Sequence, residues 1–234
     1  MKEEHAKRRR FHDELDSLQE VLMEMAGLVE QVIREAISAV LTRDGTVADR
    51  ITDADDRIDE LEVEIDARAL ELLALQQPMA SDLRQIVTAN KIANDLERMG
   101  DHAVNIANAA RRLSETAPLP EIRELQEMAE VVQGMVSDAL DAYVTRSAAK
   151  ARMVCITDDR VDELRRSMFR ILVTHMLEDP KRISGALELL LVSQNFERIG
   201  DLATNVCEDL VFLVEGLMIK HRADIHPYKS PPGS

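Results

Sequence analysis

Tryptophan is absent from the 234-residue chain, which holds only two tyrosines and four phenylalanines. Eight glycines and seven prolines make up about half of the usual ~12% share. So few strand-favouring aromatics and chain breakers argue against an all-β protein with its many tight turns. The two cysteines, Cys155 and Cys207, are too few for a disulfide framework or a thiolate metal site and fit a reducing compartment. Apolar runs stop at about five residues, as at 210–214, far below the ~18 needed to cross a bilayer. The opening MKEEHAKRRRF lacks the apolar stretch of a secretory signal, so a cytoplasmic protein is expected. Positive charge is scarce as well. With 29 Lys+Arg against 44 Asp+Glu the chain carries a net charge of -15, which disfavours salt-driven adhesion to nucleic acid. The small basic cluster Lys7 to Arg10 reads as a solvated helix start and not as a lipid-binding patch. No phosphate-cradling glycine loop, nucleophile elbow, His-Glu-x-x-His or Glu-x-x-His motif occurs, so catalysis gains no support.

What the chain does have is a hydrophobic share of 45%, enough for a sizeable core, arranged with helical spacing. Leu15, Leu18, Leu22, Met25, Leu28, Val29, Val32, Ile33, Ile37 and Val40 recur at three- and four-residue steps along one stripe. Asp44-Gly45 ends that first helix, and Thr46, with Asp49 three residues on, is the expected cap of a second that continues to Gln77. Pro78 breaks it. A third helix is expected over 81–113, up to the linker ETAPLP at 115–120. A fourth follows through Leu125 to Val144, a fifth to Glu178 with Pro180 beyond it, and a sixth to Arg222, leaving a disordered tail at 226–234. The spacing therefore predicts an all-α fold of six long antiparallel helices, in two units at 1–116 and 117–225. The eleven methionines are read as core filling.

The two units are copies. Asp95-Leu-Glu-Arg-Met-Gly-Asp101 returns as Asn195-Phe-Glu-Arg-Ile-Gly-Asp201 at a shift of 100, and Ala103 and Asn105 return as Ala203 and Asn205. Asp55-Asp-Arg-Ile-Asp-Glu-Leu61 returns as Asp158-Asp-Arg-Val-Asp-Glu-Leu164 at a shift of 103. On a helix turning 100° per residue, Glu97, Asp101 and Asn105 fall within an arc of about 80°. Carboxylates four apart stand ~5–6 Å from one another at Cβ and repel, a penalty that a hard cation reverses. The same pairing recurs at Glu197/Asp201, Asp55/Asp59 and Asp158/Asp162. Oxygen donors without nearby thiolate suit magnesium, manganese, calcium or iron in preference to zinc or copper.

Solvated acidic faces are common, and 49–66 alone holds nine acids against two bases. Comparison of the copies separates the two cases. Glu62 and Asp66 correspond to Arg165 and Phe169, so they read as ordinary surface, whereas the aspartate pair is reproduced. Gly100 and Gly200 each separate two carboxylates at a cost of about 1 kcal/mol relative to alanine, which close helix packing or a bridging ligand would explain. Arg98 and Arg198 are read as holding neighbouring carboxylates. His102 matches Leu202 and is read as a neighbour of the site or a surface residue, not a ligand.

The strings NDLERMGDHAVNIAN (94–108) and NFERIGDLATNVCED (195–209), with the two DDRxDEL segments and the proline-delimited junctions, closely resemble the PhoU family of phosphate-signalling regulators over residues 11–222. The resemblance implies two similar three-helix bundles, often dimeric, that bind multinuclear metal clusters, frequently iron, with manganese, magnesium or zinc as alternatives. It further implies a non-enzymatic adaptor between a phosphate ABC transporter's ATPase subunit and a sensor histidine kinase, repressing the phosphate-starvation response when phosphate is plentiful. Membrane association would come only through partners. Carried over by position, Asp55, Asp59, Glu97, Asp101 and Asn105 would form the first cluster, and Asp158, Asp162, Glu197, Asp201 and Asn205 the second. Asn195 in place of Asp95, and Leu202 in place of the histidine, point to a weaker or differently occupied second cluster. The alternatives are a carboxylate-bridged metalloenzyme on a helical bundle, or a regulator of the same fold serving a different transporter.

Overall fold

The computed structural model describes residues 2–76 and 78–219, with side chains from residue 10 onward except at 76. The side chains of Lys7 to Arg9 and the tail at 226–234 lie outside the described residues. Six helices follow in chain order: α1 (Lys2–Thr42), α2 (Ala48–Gln76), α3 (Ala80–Ser114), α4 (Arg123–Val144), α5 (Ala148–Glu178) and α6 (Ile183–Glu215). There is no strand among the described residues. The predicted stripe of α1 is buried from Leu15 through Val40, Leu28 alone standing partly exposed, because three- and four-residue steps keep one face inward.

The first turn corrects the predicted cap. Thr46 is not the capping residue: Asp44 is extended, and its Oδ1 accepts from Thr46 N at 2.9 Å and from Thr46 Oγ1 at 2.7 Å. A short 3-10 turn, Gly45–Val47, then leads into α2. Gly45 is required there, since a β-carbon would lie 2.8 Å from the Arg111 backbone of α3. The repeat extends to this turn. Arg43 (φ 56°) and Arg146 (φ 52°) both leave their helices in the left-handed region, and Ser147 replaces Asp44 by accepting from Lys150 N at 3.3 Å. Arg43 also reaches across to the end of α3, donating to Leu113 O, which Thr116 N and Thr116 Oγ1 also reach at 3.1 and 3.0 Å, and, at 2.6 Å, to Thr116 O.

Helix six stops short of its predicted end at Arg222. Gly216 takes φ 72°, its N–H donates to Phe212 O at 2.9 Å, and 217–219 are not helical.

Helices α1–α3 pack on one another, as do α4–α6, and the two sets join through α3 and α6. These two run antiparallel. Lys91 meets Asp209 at 2.8 Å, His102 meets Asn195 at 2.9 Å and Arg112 meets Glu188 at 2.8 Å, one sequence rising as the other falls. At the side, Tyr143 of α4 donates to Gln19 of α1 at 2.7 Å. The outer faces of α2/α3 and of α5/α6 are thereby left for the acidic motifs.

Candidate metal centre

In the first half, α2 presents Asp55 and Asp59 toward Glu97 and Asp101 of α3. The helices approach closely at Gly100, where a β-carbon would lie 2.5 Å from Asp55 Oδ1 and 3.2 Å from Ile58 Cδ1. That oxygen is buried and has no hydrogen-bond partner. Burial first, then the charges of Asp101, Asp59 and Asp56, push the Asp55 carboxyl up to about 6. Glu97 is pushed up to about 7 by burial and by Asp101, Glu62, Asp59 and Asp55. Asp59 is raised by burial and by Asp101 and Asp56. No lysine or arginine among the described residues is one of the groups that shift these three carboxyls. An orphaned oxygen, mutually repelling carboxylates and a glycine that lets two helices close make a donor set that fits a hard cation. As they stand, no three His, Cys, Asp or Glu side chains among the described residues converge at metal-holding distance. A cation would have to draw the carboxylates together.

The second half repeats the arrangement with a different electrostatic balance. Asp158 of α5 lies opposite Gly200 of α6, where a β-carbon would be 3.6 Å from Asp158 Oδ1 and 3.7 Å from the Met135 side chain, an ordinary contact. Burial and Asp201 raise Glu197, while Arg165 and Arg198 oppose the rise. Burial likewise raises Asp201, opposed first by Arg198. The guanidiniums are close: Arg165 lies 3.8 Å from Glu197, Arg198 lies 3.7 Å from Glu197 and 3.4 Å from Asp201, and Arg166 lies 3.4 Å from Asp162.

The expected fifth ligands are elsewhere. Asn205 faces α3 and hydrogen-bonds Asp95 in a groove of about 450 Å³ that Lys91 and Asp209 also line. Asn105 faces α6 in a groove of about 430 Å³, beside His102, Asn195 and Arg198. Glu62 and Asp66 line the first groove; Asp66 is exposed, as expected of ordinary surface, whereas Glu62 is half-buried and adds to the charge around Glu97. Sequence reading missed Asp95, which is 8% exposed and pushed up to about 6 chiefly by burial. Its only signal was the Asp95/Asn195 mismatch between the copies. The two cysteines take no part: both are buried in the α5/α6 core, where Cys207 hydrogen-bonds Cys155 and its thiol is pushed up.

Residues 22–110 and 125–210 each match the family described as the PhoU domain. The chain belongs to the PhoU family. Each PhoU domain holds one acidic cluster, and the linker between α3 and α4 falls in the gap between the two matches. Relatives named phosphate-specific transport system accessory protein PhoU homolog include one from Clostridium acetobutylicum, 39% identical over 91% of this chain and 97% of its own length. Another, from Aquifex aeolicus, is 41% identical over 89% of this chain and 95% of its own. The fold matches the crystal structure of PhoU from Pseudomonas aeruginosa with a TM-score of 0.86 at 38% identity, covering 88% of this chain and all of that one. The phosphate transport system regulatory protein PhoU from Streptococcus pneumoniae matches with a TM-score of 0.83 at 29% identity, covering 90% of this chain and all of that one. No helix among the described residues is long and apolar enough to cross a membrane.

Proposed function

We propose that this chain is a non-enzymatic, cytoplasmic regulator of phosphate uptake and phosphate-starvation signalling. It acts as an adaptor between the ATPase subunit of a phosphate ABC transporter and a sensor histidine kinase, and it represses the phosphate response when phosphate is plentiful. The reading is supported by PhoU relatives named as accessory proteins of phosphate-specific transport, matched over nearly their whole length. A homodimer, with membrane association only through partners, is the assembly proposed.

The observation that carries the metal reading is the orphaned, buried Asp55 Oδ1 opposite Gly100, within a ring of uncompensated carboxylates. Asp55, Asp59, Glu97 and Asp101 would hold one cation cluster, and Asp158, Asp162, Glu197 and Asp201 the other. Iron is the first candidate, ahead of manganese, magnesium and zinc. Bound cations would neutralise the charge and tie α2 to α3 and α5 to α6, stiffening the outer surface offered to partners. The role of the chain's own residues is to present that surface in a fixed shape.

The deciding experiment is affinity capture of the chain from phosphate-replete and phosphate-starved cells, with metal analysis of protein purified without chelators. Recovery of transporter ATPase and kinase in a phosphate-dependent manner is expected. Recovery of neither would refute the adaptor role, and metal-free protein would refute the clusters.

A further inference from the structure

The two clusters share their carboxylates but differ in where the neighbouring arginines lie. On α3, Arg98 follows Asp95 by one turn, with 3.8 Å between its guanidinium and Asp95 Oδ1, and no ion pair links Arg98 to Glu97 or Asp101 among the described residues. Asp95 is nearly buried, and Lys91, Asp209 and Asn205 face it as well. On α6 the matching residues are Asn195 and Arg198. Asn195 has no charge to offer, and its amide is engaged at both ends: Oδ1 meets His102 Nδ1 at 2.9 Å, and Nδ2 donates to Leu191 O at 2.8 Å. Arg198 turns instead to Glu197 and Asp201, at 3.7 and 3.4 Å. Arg165, standing where the first half has Glu62, approaches Glu197 at 3.8 Å. Leu202, the other departure between the copies, is buried in the core.

Resting on the cation reading above, we propose that Asp95 is a positioning residue that keeps the first cluster open by holding Arg98 away from it. Its replacement by Asn195 lets Arg198, together with Arg165, settle in the second cluster as an internal counter-ion. The repeat then contains one open cation site and one that is blocked by arginine. The physical reason is competition for the same carboxylates. A guanidinium ~4 Å from a partly buried carboxylate already satisfies part of its field, and an incoming cation must displace that guanidinium against mutual repulsion. In the first half no arginine or lysine among the described residues is ion-paired with Asp55, Asp59, Glu97 or Asp101, so none has to be displaced.

The test is titration of the chelator-stripped full chain with manganese(II), followed by calorimetry and by the electron paramagnetic resonance signal of free ion. Wild-type protein should show a tight class of sites, abolished by Glu97→Gln, and a second class weaker by about ten-fold or more. Asp95→Asn should weaken the tight class by a comparable factor, and Asp95→Asn with Arg98→Gln should restore it, a rescue that a purely structural role for Asp95 would not produce. Asn195→Asp with Arg165→Glu should tighten the second class. Equal affinities of the two halves in wild type, or an Asp95→Asn variant that binds unchanged, would overturn the inference while leaving the cation reading intact. Failure of every variant and of wild type to bind manganese(II) would remove both.

Discussion

Asp55 Oδ1 lies 2.5 Å from where a β-carbon on residue 100 would stand, whereas Asp158 Oδ1 keeps 3.6 Å from the same point on residue 200. The two glycines therefore answer to different constraints. Alanine gains about 1 kcal/mol over glycine within a helix. At Gly200 the new methyl group makes an ordinary contact, so Gly200→Ala should raise the urea midpoint by an amount close to that gain. At Gly100 the methyl group displaces the Asp55 carboxylate and presses Ile58 Cδ1 at 3.2 Å, so Gly100→Ala should gain nothing or lose stability. It should also weaken cation binding in the first half. Equal stabilisation by both substitutions would show that α2 and α3 are not in close contact at this point.

The raised carboxyls of the first cluster make stability depend on pH with a definite sign. Glu97, pushed up to about 7, and Asp55, pushed up to about 6, hold protons in the folded state that the unfolded chain releases near the ordinary values of 4.5 and 3.8. Their contribution is full below those ordinary values and is lost as pH rises through about 6 to 7. Cation-free protein should therefore lose stability between pH 5 and 7.5 relative to Glu97→Gln, whose profile should be flatter over that window. Added manganese(II) should stabilise wild type more at pH 7.5 than at pH 5.5, because the ion competes with those protons. Denaturant unfolding of wild type and variant across this range, with and without the ion, measures both effects. Parallel pH profiles would disprove the assignment.

The helices, the duplication and the placing of Asp55 with Asp59, and of Glu97 with Asp101, on single helix faces were legible because each depends on periodicity, which a helix converts directly into a shared face; which two faces meet is set by tertiary packing and does not follow from spacing. What was not legible depends on finer geometry. Each four-residue step turns the helix by a further 40°, so Asn105 and Asn205, two steps beyond Glu97 and Glu197, rotate off the cluster and into the α3/α6 seam. Asp44 and not Thr46 caps the first turn because Arg43 adopts the left-handed conformation, which nothing in an arginine announces. The apolar Leu217, Met218 and Ile219 continue the pattern of α6, but Gly216 had already ended the helix. The positions of the arginines are set by tertiary neighbours, so their different placement in the two halves could not be read from spacing.

Arg43 and Arg146 occupy equivalent turns with the same strained backbone but different side-chain duties. Arg43 donates to two carbonyls at the end of α3, while Arg146 lies over the Tyr143 ring at 5.3 Å. Glycine relieves the left-handed strain at either position, by about 0.5–1 kcal/mol. Arg43→Gly also leaves partly buried carbonyls without their charged donor, a loss of about 1–2 kcal/mol. Arg146→Gly should thus be neutral to stabilising and Arg43→Gly destabilising, as read from thermal unfolding. Arg43→Ala, which keeps the strain and loses the donor, should be the least stable of the three.

Glu188 and Arg112 fasten one end of the α3/α6 seam, with Arg112 Nε donating to Glu188 Oε1 at 2.8 Å. The other carboxylate oxygen of Glu188 is buried without a partner, so the charge depends on Arg112 for compensation. Truncating Arg112 strands that carboxylate. Arg112→Met should cost about 1–3 kcal/mol. Glu188→Gln leaves a neutral amide beside a half-exposed guanidinium that water can solvate, and should cost less. A double variant, Arg112→Met with Glu188→Leu, should recover most of the loss, because it removes the buried charge along with its partner. A double-mutant cycle from urea unfolding checks this: additive losses would mean that the two side chains do not depend on each other and that apolar packing alone holds the seam.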